Sequence, residues 1–141
     1  MKQIQFIEGP LSPQLIVDML QDHAQSLTDG AYTLFCGRVR ADINEGVMVK
    51  GINYSCYESM AVQLLEKNLA ELKNNYTISE IFVLHSVGFV PTGGISVILM
   101  ISAPHRKQAL EAQEALLPII KFEIPIWKKE IYEDGSQTWT A

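Results

Sequence analysis

The sequence predicts an α+β fold with mixed or antiparallel strands and three helices, gathered in one compact domain over residues 1–141. Three observations lead there. Segments with the two-residue rhythm of strands are interspersed with segments of helical spacing, without the regular strand–helix–strand alternation of a parallel sheet. The chain, 141 residues long, has room for one domain and buries roughly two-thirds of its unfolded surface, enough for a core without disulfides or metal. Hydrophobic residues make up 48% and charged residues 19%, an ordinary globular balance that argues against disorder.

Taken in order, Gln3 to Ile7 alternates as a short strand. Ser12-Pro13 reads as an N-cap followed by a first-turn proline, opening a helix to about Gln21 with Leu15, Ile16, Met19 and Leu20 on one side. After an Asp29-Gly30 turn, Ala31 to Val39 is rich in β-branched and aromatic residues and is expected to be a strand. Asp42, Asn44, Glu45 and Gly46 mark Ala41 to Lys50 as an exposed, mobile loop, suited in composition to a lid. Gly51 to Tyr57 is a further strand. Glu58 to Asn74 carries Met60, Ala61, Leu64, Leu65, Leu69 and Leu72 at helical spacing. Strands at Thr77 to His85 and Gly94 to Ser102 are separated by turn signals at Gly88, Pro91 and Gly93-Gly94. A helix starts near His105, and Pro118 is expected to interrupt it by removing the bond to the Glu114 carbonyl. Glu123 to Tyr132 and Thr138 to Trp139 close the chain as strands around an Asp134-Gly135 turn.

Charge excludes some functions. Eleven Lys and Arg against sixteen Asp and Glu leave a formal charge of −5, a poor footing for general binding to nucleic acid or an anionic membrane. Apolar runs such as Ile95 to Ala103 fall far short of the ~20 residues that span a bilayer. Met1 to Phe6 has neither the apolar centre nor the small-residue cleavage site of a signal peptide, so a cytoplasmic protein is expected. Cys36 and Cys56 are too few for a disulfide scaffold and are expected to be packing thiols. None of the three His stands at metal-ligand spacing with a Cys, so no structural zinc site is expected; no other metal and no cofactor is expected either.

Within this acidic chain, His105 to Lys129 is a basic island: Arg106, Lys107, Lys121, Lys128 and Lys129 outnumber Glu111, Glu114 and Glu123. Such an island is either a solvated surface or a seat for an anionic ligand. Pro104-His105-Arg106 lies where a strand gives way to a helix, where unpaired N–H groups and the positive dipole end favour anions. Arg106 would add a guanidinium fork and His105 a donor or proton shuttle. In an extended Ile124 to Ile131, the side chains of Ile124, Ile126, Lys128 and Glu130 share one face and those of Trp127, Lys129 and Ile131 the other. Lys128 on that mostly apolar face is either a base with a lowered pKa or one half of an ion pair with Glu130. Arg40 ends the Phe35-Cys36-Gly37-Arg38-Val39-Arg40 run, where it can meet an anion beside the open backbone of Gly37.

Phe35 to Arg40, Tyr54 through Tyr57 to Met60-Ala61, Ser102-Ala103-Pro104-His105-Arg106 and Pro125-Ile126-Trp127-Lys128-Lys129-Glu130 stand in an order and spacing that resemble the large, catalytic subunit family of molybdopterin synthase. The resemblance covers essentially the whole chain. Ser55 and Ser86 depart from its usual Glu and Arg. It implies an α/β-hammerhead-like fold and a sulfurtransferase of molybdenum-cofactor biosynthesis. Its substrate would be cyclic pyranopterin monophosphate, receiving sulfur from the C-terminal thiocarboxylate of a small ubiquitin-like carrier subunit. By the same resemblance Lys121 and Lys128 are the active-site lysines, Arg40, His105 and Arg106 bind substrate anions, and Phe35 and Glu130 support them.

His105 and Lys121 are sixteen positions apart, roughly 24 Å along one straight helix, so they are not expected to meet within a chain. His105 and Arg106 are therefore expected to serve the pocket of a two-fold-related copy, in a homodimer with composite sites that becomes a heterotetramer with the carrier. A rival of another class is a non-catalytic module that holds a ubiquitin-like tail or a phosphorylated metabolite. Only the enzyme needs the two lysines for more than charge.

Overall fold

A computed structural model describes residues 1–140. The elements follow the order β1 (Ile4–Glu8), α1 (Gln14–His23), β2 (Ala31–Arg38), β3 (Ile43–Asn44), β4 (Val47–Cys56), α2 (Glu58–Tyr76), β5 (Glu80–Pro91), β6 (Ile95–Ala103), α3 (Arg106–Phe122), β7 (Ile126–Tyr132) and β8 (Gln137–Thr140). The strands form one sheet in the order β2-β6-β5-β4-β7-β8, with β1 added to β5 and β3 to β4. All pairings are antiparallel except β1 with β5, so the α+β expectation with mixed strands and three helices holds.

Strand β5 organises the sheet. Its first half pairs with β1 and β6, and from Gly88, at φ +79, its second half pairs with β4. Only a residue without Cβ turns the chain there without strain. Along β5 and β6 the side chains sort by parity: Ile81, Val83, Leu99 and Ile101 face one way, Phe82, Leu84, Ile98 and Met100 the other. The first set packs under Leu65, Leu69 and Leu72 of α2 and Ala109, Ala112 and Leu116 of α3. The second is covered by α1 through Met19, Leu15 and Ile16, with Leu11 beside them. Each fully buried Leu or Ile in these layers contributes about 1.5–3 kcal/mol. Among the described residues no helix is long and apolar enough to cross a membrane.

Three local expectations are corrected. The strand expected to stop at His85 starts at Glu80 and continues through Gly88 to Pro91. Residues 41–50 are not a loop, because β3 and the start of β4 form a hairpin in which Asn44 pairs with Val47. Its two-residue turn places Glu45 at φ 51 and Gly46 at φ 81, the doubly positive geometry whose twist matches paired strands. Pro118 does not break α3, which runs unbroken from Arg106 to Phe122. Ala112 and Leu116 before it and Ile120 after it are buried, and burial along that stripe outweighs one lost hydrogen bond. Glu114 and Pro118 are both exposed and line the edge of the cavity described below.

The start of α3 is pinned from the other side of the sheet. Asp29, almost wholly buried, accepts hydrogen bonds from Ser79 and from Ser26, and pairs with His23 Nε2 at 2.8 Å. Burial alone would push its carboxyl up, but the bonds from His23, Ser79, Ser26 and Ser102 outweigh it and hold the pKa below the usual value. Gly30 N–H then donates to the carbonyls of Ala103 and Pro104, which fixes the entry to α3.

Candidate active site

A cavity of about 800 Å³ opens where the C-terminal half of α3 lies over the end of β2 and the β5-β4-β7 portion of the sheet. Phe35, Arg40, Lys121, Lys128 and Glu130, five of the residues singled out from the sequence, all line it. Each arrives by its own element. The C-terminal turn of α3 carries Lys121, whose Nζ stands 5.3 Å from the Phe122 ring centroid. Strand alternation in β7 turns Ile126, Lys128 and Glu130 into the cavity and leaves Trp127 half exposed outside, as the spacing predicted. Arg40 follows β2, largely exposed, with its Nη2 3.2 Å from Asp42 Oδ2; an ion pair so open to water holds the guanidinium only weakly.

Lys128 is the unusual member. It is half-buried, and burial first, then the neighbouring charge of Lys121, pushes its pKa below that of an ordinary lysine. The ion pair with Glu130 that strand geometry allowed does not form. Instead Glu130 Oε2 accepts from Tyr132 Oη at 3.0 Å and from Asn44 Nδ2 at 3.3 Å.

His105 and Arg106 do not line this cavity. They lie with Gly30, Pro104 and Lys107 in a separate depression at the N-terminal end of α3. The 17-residue helix separates them from Lys121, as expected from spacing. His105 is the N-cap in an extended conformation and makes no capping bond through its side chain.

Arg38, Tyr54 and His85 also line the cavity, though the sequence reading gave them no site role. Arg38 Nε donates to the Gly93 carbonyl at 3.1 Å. His85 is buried, and its Nδ1 stands 2.8 Å from the Ser86 carbonyl. A carbonyl only accepts, so Nδ1 carries the proton and Nε2 is left as an acceptor. Burial first, then the charge of Lys128, brings its pKa down to about 4 against the partial restoring effect of the Ser86 bond, which leaves the ring neutral at pH 7. Tyr54 sets its ring edge-on to His85 with centroids 5.2 Å apart. The one available signal was His85 in register with Ile81 and Val83, a polar side chain on a strand face otherwise given to the core.

Cys36 also lines the cavity, and burial raises its pKa; Cys56 is pushed up to about 11 by burial and by Glu58. Both are thiols at neutral pH, which suits packing and not nucleophilic attack. Among the described residues no three His, Cys, Asp or Glu side chains are grouped to hold a metal.

Fold and cavity together define an α+β protein with a pocket on whose wall Arg38, Arg40, Lys121 and Lys128 meet Asp42, Glu114 and Glu130. The chain belongs to the MoaE protein family, whose model matches residues 7–123. It is 35% identical over 137 residues to the molybdopterin synthase catalytic subunit of Bacillus subtilis (strain 168), covering 97% of this chain and 84% of that one. The Bos taurus molybdopterin synthase catalytic subunit is 36% identical over 128 residues, 91% of this chain and 67% of the relative. Among solved structures, molybdopterin synthase from Staphylococcus aureus superposes with a TM-score of 0.87 at 30% identity, covering 100% of this chain and 98% of the other. A complex of subunits 1 and 2 of molybdopterin-converting factor from Helicobacter pylori 26695 gives a TM-score of 0.84 at 25% identity, with 99% and 90% covered.

Proposed function

We propose that this chain is the catalytic subunit of a molybdopterin synthase. It moves sulfur from the C-terminal thiocarboxylate of a small ubiquitin-like carrier to cyclic pyranopterin monophosphate, forming the molybdopterin dithiolene. The observation that carries this is the joint placement of Lys121, Lys128 and Arg40 on one cavity, with Lys128 half-buried and its charged form disfavoured. Both guests bring negative charge, a phosphate on the pterin and a carboxyl group on the tail, and in an acidic protein such guests need a local reversal of field. Arg40 and Lys121 hold those anions at the mouth, where both are exposed. Lys128 moves protons to and from the pterin side chain during sulfur attack, the role for which a lysine is brought towards neutral pH. Phe35 and Glu130 support the lysines from the wall. Neither cysteine carries sulfur.

His105 and Arg106 belong to the same reaction through a second copy of the chain. Their depression at the start of α3 presents backbone N–H groups, an imidazole and a guanidinium that the cavity of their own chain does not use. The working unit is then a homodimer with composite sites, flanked by two carriers. The setting is cytoplasmic, and the two free thiols suit a reducing compartment.

Reconstitution tests the reaction. Purified chain, thiocarboxylated carrier and cyclic pterin together are expected to yield molybdopterin, and the carrier is expected to finish as an ordinary carboxylate. A carrier that keeps its sulfur under these conditions rules the reaction out.

A further inference from the structure

Strand β3 is tied to Glu130, a residue of the cavity wall, through one side chain. Asn44, in the two-residue strand β3, donates from Nδ2 to Tyr132 Oη at 2.9 Å and to Glu130 Oε2 at 3.3 Å. Tyr132 Oη in turn donates to the same Glu130 oxygen at 3.0 Å, closing a triangle of three polar groups from β3 and β7. Tyr132 is buried, whereas Asn44 stands at the surface. One carboxylate oxygen therefore carries both donors.

The triangle matters because of where Glu130 sits. Lys128 and Glu130 are two positions apart on one strand, with both side chains on the cavity face. A long, flexible lysine and a carboxylate at that spacing are within reach of each other. Among the described residues Lys128 nevertheless has no ion pair. Glu130 is already engaged on the side away from it.

We propose that Asn44 and Tyr132 are positioning residues: by holding Oε2 of Glu130 they keep that carboxylate off Lys128 and leave the amine free for proton transfer. Without the two donors the carboxylate turns towards the lysine, pairs with it and stabilises its charged form. The other charged or titratable groups lining the cavity are Glu114 and Lys121 of α3, His85 of β5, Tyr54 of β4, Cys36 and Arg38 of β2, and Arg40 with Asp42 after it. Of these Asp42 is engaged by Arg40. Glu130 is the carboxylate that shares the strand and face of Lys128. The hairpin is thus a brace for the active site and not a lid over it.

This inference rests on the sulfur-transfer function for its meaning, but its test does not need turnover. Trace acylation of the intact protein, read at Lys128 by peptide mass spectrometry across pH 6–11, reports the fraction of free amine directly. Tyr132→Phe and Asn44→Ala are expected to move the Lys128 midpoint to higher pH and to slow its acylation at pH 8 by about 3–10-fold, each 1.4 kcal/mol of added ion pairing being tenfold. In a Glu130→Gln background neither substitution should slow it further, since the amide has no charge to lend. Both single variants keep the fold's packing, one being isosteric and the other at a surface position, and thermal unfolding checks this. Unchanged Lys128 acylation in both, or an equal fall in the Glu130→Gln background, overturns the proposal. Variants that slow Lys128 acylation as described, beside a wild type that forms no molybdopterin, overturn the reaction and support the brace.

Discussion

Replacing Lys128 by Arg is expected to lower molybdopterin formation at least ~100-fold while the carrier still binds, the size expected when a proton-transfer group is removed. Arginine keeps the positive charge, so anion binding and the sign of the field survive. It does not give up its proton near neutral pH, and its planar fork needs more room than an ammonium. Tyr54 stands opposite Lys128 across the β4–β7 ladder, and His85 packs against Tyr54. Lys121→Arg should be milder. Lys121 is exposed at the end of α3, where charge is its main contribution. Steady-state assays with the carrier and pterin varied separately distinguish the two, Lys128→Arg acting on kcat and Lys121→Arg mainly on KM. A protein that only holds a tail or a metabolite would tolerate both substitutions.

Two inactive chains are expected to restore each other. A Lys121→Ala/Lys128→Ala chain lacks the amines of its own cavity, and a His105→Ala/Arg106→Ala chain lacks the groups it lends to its partner. Co-expressed in equal amounts, half of the dimers combine the two, and each mixed dimer holds one intact composite site. Activity should return to about one quarter of wild type, from nearly none in either variant alone. The physical basis is α3 itself, an unbroken 17-residue helix with cations at both ends. Its length keeps His105 and Arg106 away from the cavity of their own chain. If every site were built within one chain, mixing would restore nothing.

Much of this was legible along the chain because it depends on local periodicity. The parity of Ile81 to Leu84 and Ile98 to Ile101 reports a sheet covered on both faces, and the spacing of Ala61, Leu65, Leu69 and Leu72 reports one buried stripe on α2. The same alternation aimed Lys128 and Glu130 at one face before any tertiary contact was known. Residues 41–50 misled because Ile43 and Asn44 are both exposed, so burial imposes no alternation on β3, and Glu45 is an uncommon occupant of a left-handed turn position. Pro118 misled because the cost of one missing bond was weighed without the burial on either side of it. Tyr54 and His85 were hidden for another reason. Their meeting beside Lys128 depends on β4 lying between β5 and β7, a strand order that no short-range spacing encodes.

The placement of the two guests is tested most directly by a crystal structure of the dimer with the carrier and the cyclic pterin bound. The carrier's C-terminal carboxyl carbon should end in the cavity, with its oxygens within about 3.2 Å of a lysine Nζ, Lys121 or Lys128. The pterin phosphate should lie against Arg40 and against His105 and Arg106 of the opposite copy. A tail that stops outside the cavity, with Lys128 touching neither guest and the phosphate held by one chain alone, would contradict the account.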